Sequence, residues 1–188
     1  FRGISCRIHT PQGSFSALIP IPGRHMVYNA LAGTAVGCTY GLTLEQIKQG
    51  IETLQSVSGR FHIIETGKYT VVDDCYNANP TSVMASIDTL VNFSGRTIAI
   101  LGDMKELGTN ELEMHRKTGE HAKEKGVDLV IAVGPLAKAL AEGSGGKWYA
   151  DIDSLLPDLK SLLKKGDTVL VKASHSMQFE RIVAFLKG

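Results

Sequence analysis

The chain has 188 residues, 43% of them apolar and 21% charged, with a formal net charge of +1. These values describe one large or two small globular domains, with no basic excess to recruit nucleic acid or a membrane surface. No apolar run approaches the roughly 18 residues that a membrane span needs.

Phe1 stands first and no charged-then-apolar leader follows it, so the expectation is a fragment without a signal peptide. Cys6, Cys38 and Cys75 form no CxxC pair and no cluster with zinc spacing. Reduced, structural thiols of that kind fit a cytoplasmic protein.

In chain order, residues 1–22 alternate weakly between Pro11, Gly13, Pro20 and Pro22, which predicts a short hairpin or sheet edge. Residues 25–40 are rich in Ala, Leu and Val and close on Gly41, as a helix does. Thr43 and Gln46 make a capping box for a second helix, with Leu44, Ile47, Ile51 and Leu54 on its buried face. Residues 61–65 and 69–73 read as two strands joined at Thr66-Gly67-Lys68. Asn79-Pro80 starts a helix that runs to about Leu90, with Val83, Met84, Ile87, Leu90 and Val91 inward.

Residues 92–96 are the expected domain boundary, dividing 1–93 from 94–188. Beyond it, apolar runs at 97–101, 129–133, 148–149 and 168–171 alternate with helices at about 110–125, 135–142, 153–164 and 177–186. That alternation predicts parallel strands buried on both faces, in a doubly wound α/β domain that binds ligands at the carboxyl ends of its strands.

Phosphate loops are absent. Gly143-Ser144-Gly145-Gly146-Lys147 has neither the spacing nor the following Ser or Thr of a P-loop, and is expected to be a mobile surface loop. There is also no GxGxxG, GxSxG or HExxH. Three polar segments follow apolar strands instead. The first is Val71-Val72-Asp73-Asp74-Cys75-Tyr76-Asn77-Ala78-Asn79-Pro80. Carboxylates at a strand end bind ribose hydroxyls or a metal, and the helix start beyond favours an anion. Equally, Asp74 and Asn77 cap the turn while Asn79 caps the helix.

The other two segments are Leu101-Gly102-Asp103-Met104-Lys105-Glu106-Leu107-Gly108 and Val171-Lys172-Ala173-Ser174-His175-Ser176. A hydrolase trio of Ser174, His175 and Asp103 is not fixed by their spacing. Gly23 to Ala32, which includes His25 and Asn29, and Gly59-Arg60-Phe61 complete the candidates. Arg60 at a strand mouth suits a phosphate clamp, and an exposed structural arginine looks the same. His115 reads as a partly buried helix residue.

Together, in this order and spacing, GRHMVYNALAGTAVG, SGRFHIIE, VVDDCYNANPTSVMASIDTL, AILGDMKELG, MHRKTGEHAKEKGVDLVIAVG and VLVKASHSMQFERIV resemble the Mur ligases. DDCYNANP and LGDMKELG are similar to the branch that joins D-alanyl-D-alanine to UDP-N-acetylmuramoyl-tripeptide. The resemblance implies that residues 1–93 are the later part of a central ATP-binding domain, and that 94–188 are a Rossmann-like C-terminal domain. The GTNGKT-type loop, the magnesium-binding glutamate and the carbamylated lysine of the family would lie in a part this sequence lacks.

It further implies ATP and Mg2+ as cofactors, a monomer, and a two-step reaction. The tripeptide carboxylate is phosphorylated to an acyl phosphate, which the amine of D-alanyl-D-alanine attacks. The fragment alone is expected to be inactive.

By the same resemblance Asn29, with His25 nearby, contacts adenine, and Arg60 reaches the ATP phosphates. Asp74, Asn77 and Asn79 lie near the ribose. Lys172 is catalytic, and Asp103, Ser174 and His175 face the dipeptide or the reacting centre. The family pattern at 172–176 is closer to KGSRS, so Ala173 and His175 replace glycine and arginine. A histidine reads a carboxylate only when protonated. Another Mur or folylpolyglutamate-type ligase, or a non-catalytic Rossmann-like module, are the competing readings.

Overall fold

The computed structural model describes residues 3–188, and these divide into two compact units, one ending at Ser56 and the other spanning Val57–Gly188. In the first unit β1 (Ile4–Thr10) and β2 (Gly13–Ile19) form an antiparallel hairpin. Helices α1 (Arg24–Thr39) and α2 (Leu44–Glu52) follow. The predicted capping box is present, with the Gln46 amide donating to Thr43 Oγ1 and Thr43 N–H donating to Gln46 Oε1. Ile47 and Ile51 of α2 close a small core with Ile8, Ala17, Ile19 and Ala30. Leu54 does not join them: α2 ends at Glu52, which leaves Leu54 on the surface.

The second unit is built on a six-stranded sheet ordered β3-β4-β8-β5-β6-β7. Its strands are β3 (His62–Glu65), β4 (Thr70–Asp73), β5 (Thr97–Gly102), β6 (Leu129–Val133), β7 (Lys147–Tyr149) and β8 (Thr168–Lys172). Every pairing is parallel except that of edge strand β3 with β4. The helices are α3 (Pro80–Leu90), α4 (Glu111–Glu124), α5 (Ala137–Ser144), α6 (Ile152–Leu162) and α7 (Glu180–Lys187), with 3₁₀ turns at Gly108–Asn110 and His175–Met177.

Side chains alternate faces along each strand. Ile98, Ile100, Ile131, Val133, Val169 and Val171 pack with α6 and α7 on one face. Ala99, Leu101, Val130, Ala132 and Leu170 pack with α3, α4 and α5 on the other. Burial on both sides explains why these strands read as unbroken apolar runs. Asn79 caps α3 as predicted, accepting from the Ser82 amide at 2.9 Å, and Pro80 follows it. Of the residues expected inward on α3, Met84 and Val91 are only half-buried.

Two expectations are corrected. The division between units falls between Ser56 and Val57, not at residue 93. The reason is that β4 pairs in parallel with β8, so β3, β4 and α3 belong to the sheet of the second unit. Residues 143–147 are not an irregular loop, because Gly143 and Ser144 finish α5, Gly145 caps it in the left-handed conformation, and Lys147 begins β7. Gly143 also serves packing. A Cβ there would lie 2.3 Å from the carbonyl oxygen of Arg116 on α4, and one on Gly119 of α4 would lie 2.1 Å from that of Leu140 on α5. Only glycine permits the two helices to meet at backbone distance.

Candidate functional site at the carboxyl ends of the parallel strands

Because the strands of the second unit run parallel, the loops after β4, β5, β6 and β8 gather along one edge of the sheet. Strand order reverses between β5 and β8, where an open sheet has its ligand crevice. The start of β3 joins the same edge, since His62 is paired with Asp73. Arg60, Asp74, Asn77, Asn79, Asp103, Lys172, Ser174 and His175 therefore share one edge. His25 and Asn29 lie apart from them in sequence, on α1 of the first unit. Asn29 is exposed, and its side-chain amide donates to Met26 Sδ at 3.4 Å.

The adjacent carboxylates at the end of β4 brace the segment before β3. Asp73 is buried and accepts from the Ser58 hydroxyl (3.0 Å), the Gly59 amide (2.9 Å) and the Cys75 thiol (3.0 Å). Asp74 accepts from the Phe61 amide at 3.0 Å through Oδ1. Its Oδ2 takes the Ser86 hydroxyl and Lys172 Nζ, both at 2.7 Å. Residues 58–61 are thereby bent, with Gly59 at φ +79° and Phe61 at φ +52°. A left-handed phenylalanine costs on the order of 1 kcal/mol or more, and the two carboxylates with the buried Phe61 ring hold it there.

Arg60 projects from this bend. Its guanidinium lies 4.2 Å over the ring of Tyr76, and it forms no ion pair among the described residues. Tyr76 is half-exposed, and its own amide donates to the Gly59 carbonyl at 3.0 Å. The His175 ring stands 5.5 Å from that of Tyr76, tilted by 37°. Arg60 and His175 thus both neighbour the Tyr76 ring on the edge.

Lys172 is placed differently from a surface catalyst. Its side chain is 4% exposed, and Nζ is directed at Asp74 Oδ2, the Asn77 carbonyl (2.9 Å) and the Asp74 carbonyl (3.4 Å). It fixes the loop on which Asn77 is exposed. Asn77 Oδ1 in turn accepts from the Ala78 amide, and Asn79 is occupied in capping α3.

At the end of β5, Asp103 has no exposed surface. Its Oδ1 accepts from the amides of Leu136 and Ala137 (3.0 and 2.8 Å), and its Oδ2 from Lys105 Nζ (3.0 Å). The N-terminus of α5, where such folds commonly hold an anion, is filled from within the chain. Gly134 is required there, because a Cβ would sit 2.4 Å from Asp103 Oδ1.

Ser174 seals the same place, donating its amide to the Asp103 carbonyl and accepting the Lys105 amide on Oγ at 2.8 Å. Ser174 and His175 share no hydrogen bond among the described residues, so the hydrolase trio is not assembled. Ser174 opens the 3₁₀ turn without a side-chain cap.

His115, expected to be partly buried, is wholly buried. Its Nε2 accepts the Met104 amide at 2.9 Å, and its Nδ1 lies 2.6 Å from the Glu111 carbonyl. A carbonyl only accepts, so Nδ1 carries the proton and the ring is neutral. This hub of the loop after β5, like the Tyr76 support under Arg60, escaped the sequence reading. A tyrosine three residues beyond the strand has no sequence mark that distinguishes it from a surface aromatic.

No group of three His, Cys, Asp or Glu side chains among the described residues is arranged to hold a metal ion. Asp73 and Asp74, the nearest candidates, direct their oxygens to internal donors. A cavity of about 220 Å3 lined by Thr66, Lys68, Tyr69, Lys160, Leu163 and Phe185 lies at the opposite edge of the sheet.

Residues 59–175 match the family described as Mur ligase, glutamate ligase domain. The chain belongs to the Mur ligase family. The match begins at the Gly59-Arg60 bend and ends at His175, so it encloses Arg60, Tyr76 and His175.

Among its Mur ligase relatives, the UDP-N-acetylmuramoyl-tripeptide–D-alanyl-D-alanine ligase of Escherichia coli is 38% identical over 98% of this chain, and the chain spans 42% of that protein. A MurF crystal structure from Acinetobacter baumannii superposes with a TM-score of 0.93 at 33% identity, covering 99% of this chain and 42% of that one. A MurF ligase from Thermotoga maritima, solved in complex with ADP, has a TM-score of 0.83 at 28% identity, covering 97% and 43%. Among the described residues, no helix is long and apolar enough to cross a membrane.

Proposed function

We propose that this chain is part of an ATP-dependent, ADP-forming ligase of peptidoglycan synthesis that joins D-alanyl-D-alanine to UDP-N-acetylmuramoyl-tripeptide in the cytoplasm. Support comes from the relatives of that activity and from one feature of the edge. Arg60 offers a guanidinium that forms no ion pair among the described residues, held on an aromatic face with the His175 ring nearby. Such a group suits a polyanion, because the planar fork donates to two phosphate oxygens at once.

A carboxylate and an amine do not condense in water without activation. Phosphoryl transfer from ATP to the tripeptide carboxylate gives an acyl phosphate, and attack by the dipeptide amine then releases phosphate. Arg60 offsets charge on the transferred group, where a positioned cation contributes most in a water-poor site. His25 and Asn29 take the adenine.

Asp74, Asn77 and Asn79 form the ribose-side loop, and Lys172 acts by holding that loop. His175 faces the dipeptide, while Asp103 and Ser174 shape its surroundings from behind. Magnesium would neutralise the phosphates. The described residues offer no cluster for it.

The test measures phosphate release from the complete gene product with UDP-N-acetylmuramoyl-tripeptide, ATP and D-alanyl-D-alanine. Turnover is expected with that acceptor and not with single amino acids or glutamate; preference for glutamate would favour a folylpolyglutamate-type reading. The 188-residue chain, which contains no phosphate loop, is expected to give none by itself, and turnover by it would overturn the division of labour proposed here.

A further inference from the structure

We infer that Tyr76 is a positioning residue for Arg60: it holds the guanidinium at a fixed place on the carboxyl edge and so sets the anion-binding group of the site. The inference rests on the reading of Arg60 given above. Among the described residues, this long, exposed arginine has no partner of opposite charge to fix it. Arg60 is exposed and without an ion pair among the described residues, yet its guanidinium lies 4.2 Å over the Tyr76 ring.

An unpartnered arginine samples many rotamers, and each must be frozen when an anion binds. An aromatic face removes much of that freedom without neutralising the charge or using any of the five N–H donors. A carboxylate in the same place would orient the group but cancel its attraction for phosphate.

The backbone is arranged to keep the two side chains together. The Tyr76 amide donates to the Gly59 carbonyl at 3.0 Å, so ring and arginine spring from loop segments joined next to their side chains. Gly59 is left-handed, and a Cβ on it would stand 3.1 Å from Tyr76 Cβ, so a bare backbone lets the tyrosine lie close. Asp73 and Asp74 clamp the residues on either side of Arg60 through the amides of Gly59 and Phe61. Backbone on both flanks and ring beneath leave the guanidinium one outward direction. The His175 ring, at 5.5 Å between centroids, restricts the swing of Tyr76.

Two measurements test this. In the 188-residue chain, the Arg60 side-chain NεH resonance is expected upfield of the other arginines through the Tyr76 ring current. That displacement should survive Tyr76→Phe and vanish in Tyr76→Ala. In the complete ligase, Arg60→Ala should lower kcat/KM about a hundredfold, and Tyr76→Ala by about two- to fivefold. The Tyr76→Ala loss should fall in the same parameter, kcat or KM for ATP, as the Arg60→Ala loss. Tyr76→Phe should restore it, and Tyr76→Ala should have no further effect in an Arg60→Ala background.

An unshifted Arg60 resonance, or a Tyr76→Ala loss that persists without Arg60, overturns the inference. A shifted resonance with full activity in Arg60→Ala leaves Tyr76 as the holder of Arg60 and overturns instead the assignment of Arg60 to the phosphates.

Discussion

The ends of β4 and β5 are built from the same materials and put to opposite uses. Each strand is followed directly by an aspartate, Asp74 or Asp103, that accepts two or more hydrogen bonds, and each of these aspartates is tied to a lysine. At the end of β5 the carboxylate of Asp103 fills the N-terminus of α5, and the β8 loop is bonded across it through Ser174. The place where an open sheet commonly receives a ligand is internally satisfied. At the end of β4 the two carboxylates are spent on the backbone around Arg60, and the charge left facing outward is that arginine. Position in a fold therefore does not by itself make a ligand site. What matters is which groups retain unsatisfied capacity once the chain has met its own needs.

If that contrast holds, substitutions behind the edge should disturb folding, and those on it should not. The largest effect expected is on thiol chemistry beneath the β4 end. Burial, and then the hydrogen bond to and charge of Asp73, push the Cys75 thiol up to about 12. A raised value keeps the thiol protonated at pH 8, so its thiolate population is about a thousandfold below that of an ordinary cysteine. Labelling with a disulfide reagent at pH 8 should modify Cys6 and Cys38 and spare Cys75 until the protein unfolds. Rapid labelling of Cys75 would mean that the β4 end opens readily, and the contrast would fail.

Next in size is Lys172→Met. It strands Asp74 with its buried charge uncompensated and should cost about 3 kcal/mol in urea or thermal unfolding. Asp103→Ala removes the acceptor for two amides of α5 and should cost about 2 kcal/mol by the same measurement. Tyr76→Ala, which removes a half-exposed ring, should change stability by less than about 0.5 kcal/mol. A large loss of stability in this last variant would place Tyr76 among the bracing residues and blur the distinction.

The legible parts of this molecule are those with local causes. Thr43 and Gln46, and Asn79 with Pro80, mark helix starts because cap and helix lie within a few residues. The strands at 97–102, 129–133 and 168–172 are legible because burial on both faces leaves an unbroken apolar run. The boundary expected at residues 92–96 failed for a long-range reason. Asn-Phe-Ser-Gly-Arg has the composition of a linker, but the strand before it pairs with one nearly a hundred residues later, and no local pattern announces that partner.

The site divides in the same way. Carboxylates and a lysine at strand ends were visible as candidates in the sequence. That Asp103 and Lys172 face inward depends on amides and carbonyls brought from other loops, and these carry no residue-type signal. Tyr76 was overlooked because its importance lies in what stands over it.

The paired glycines of α4 and α5 have a consequence for how the second unit comes apart. With Gly119 set against the Leu140 carbonyl and Gly143 against that of Arg116, neither helix can roll or slide without driving backbone into backbone. The two should behave as a single two-ply slab. Their slowest amide protons should exchange with deuterium at one common rate, released by one opening event, although the helices are separated in the chain by a strand of the central sheet.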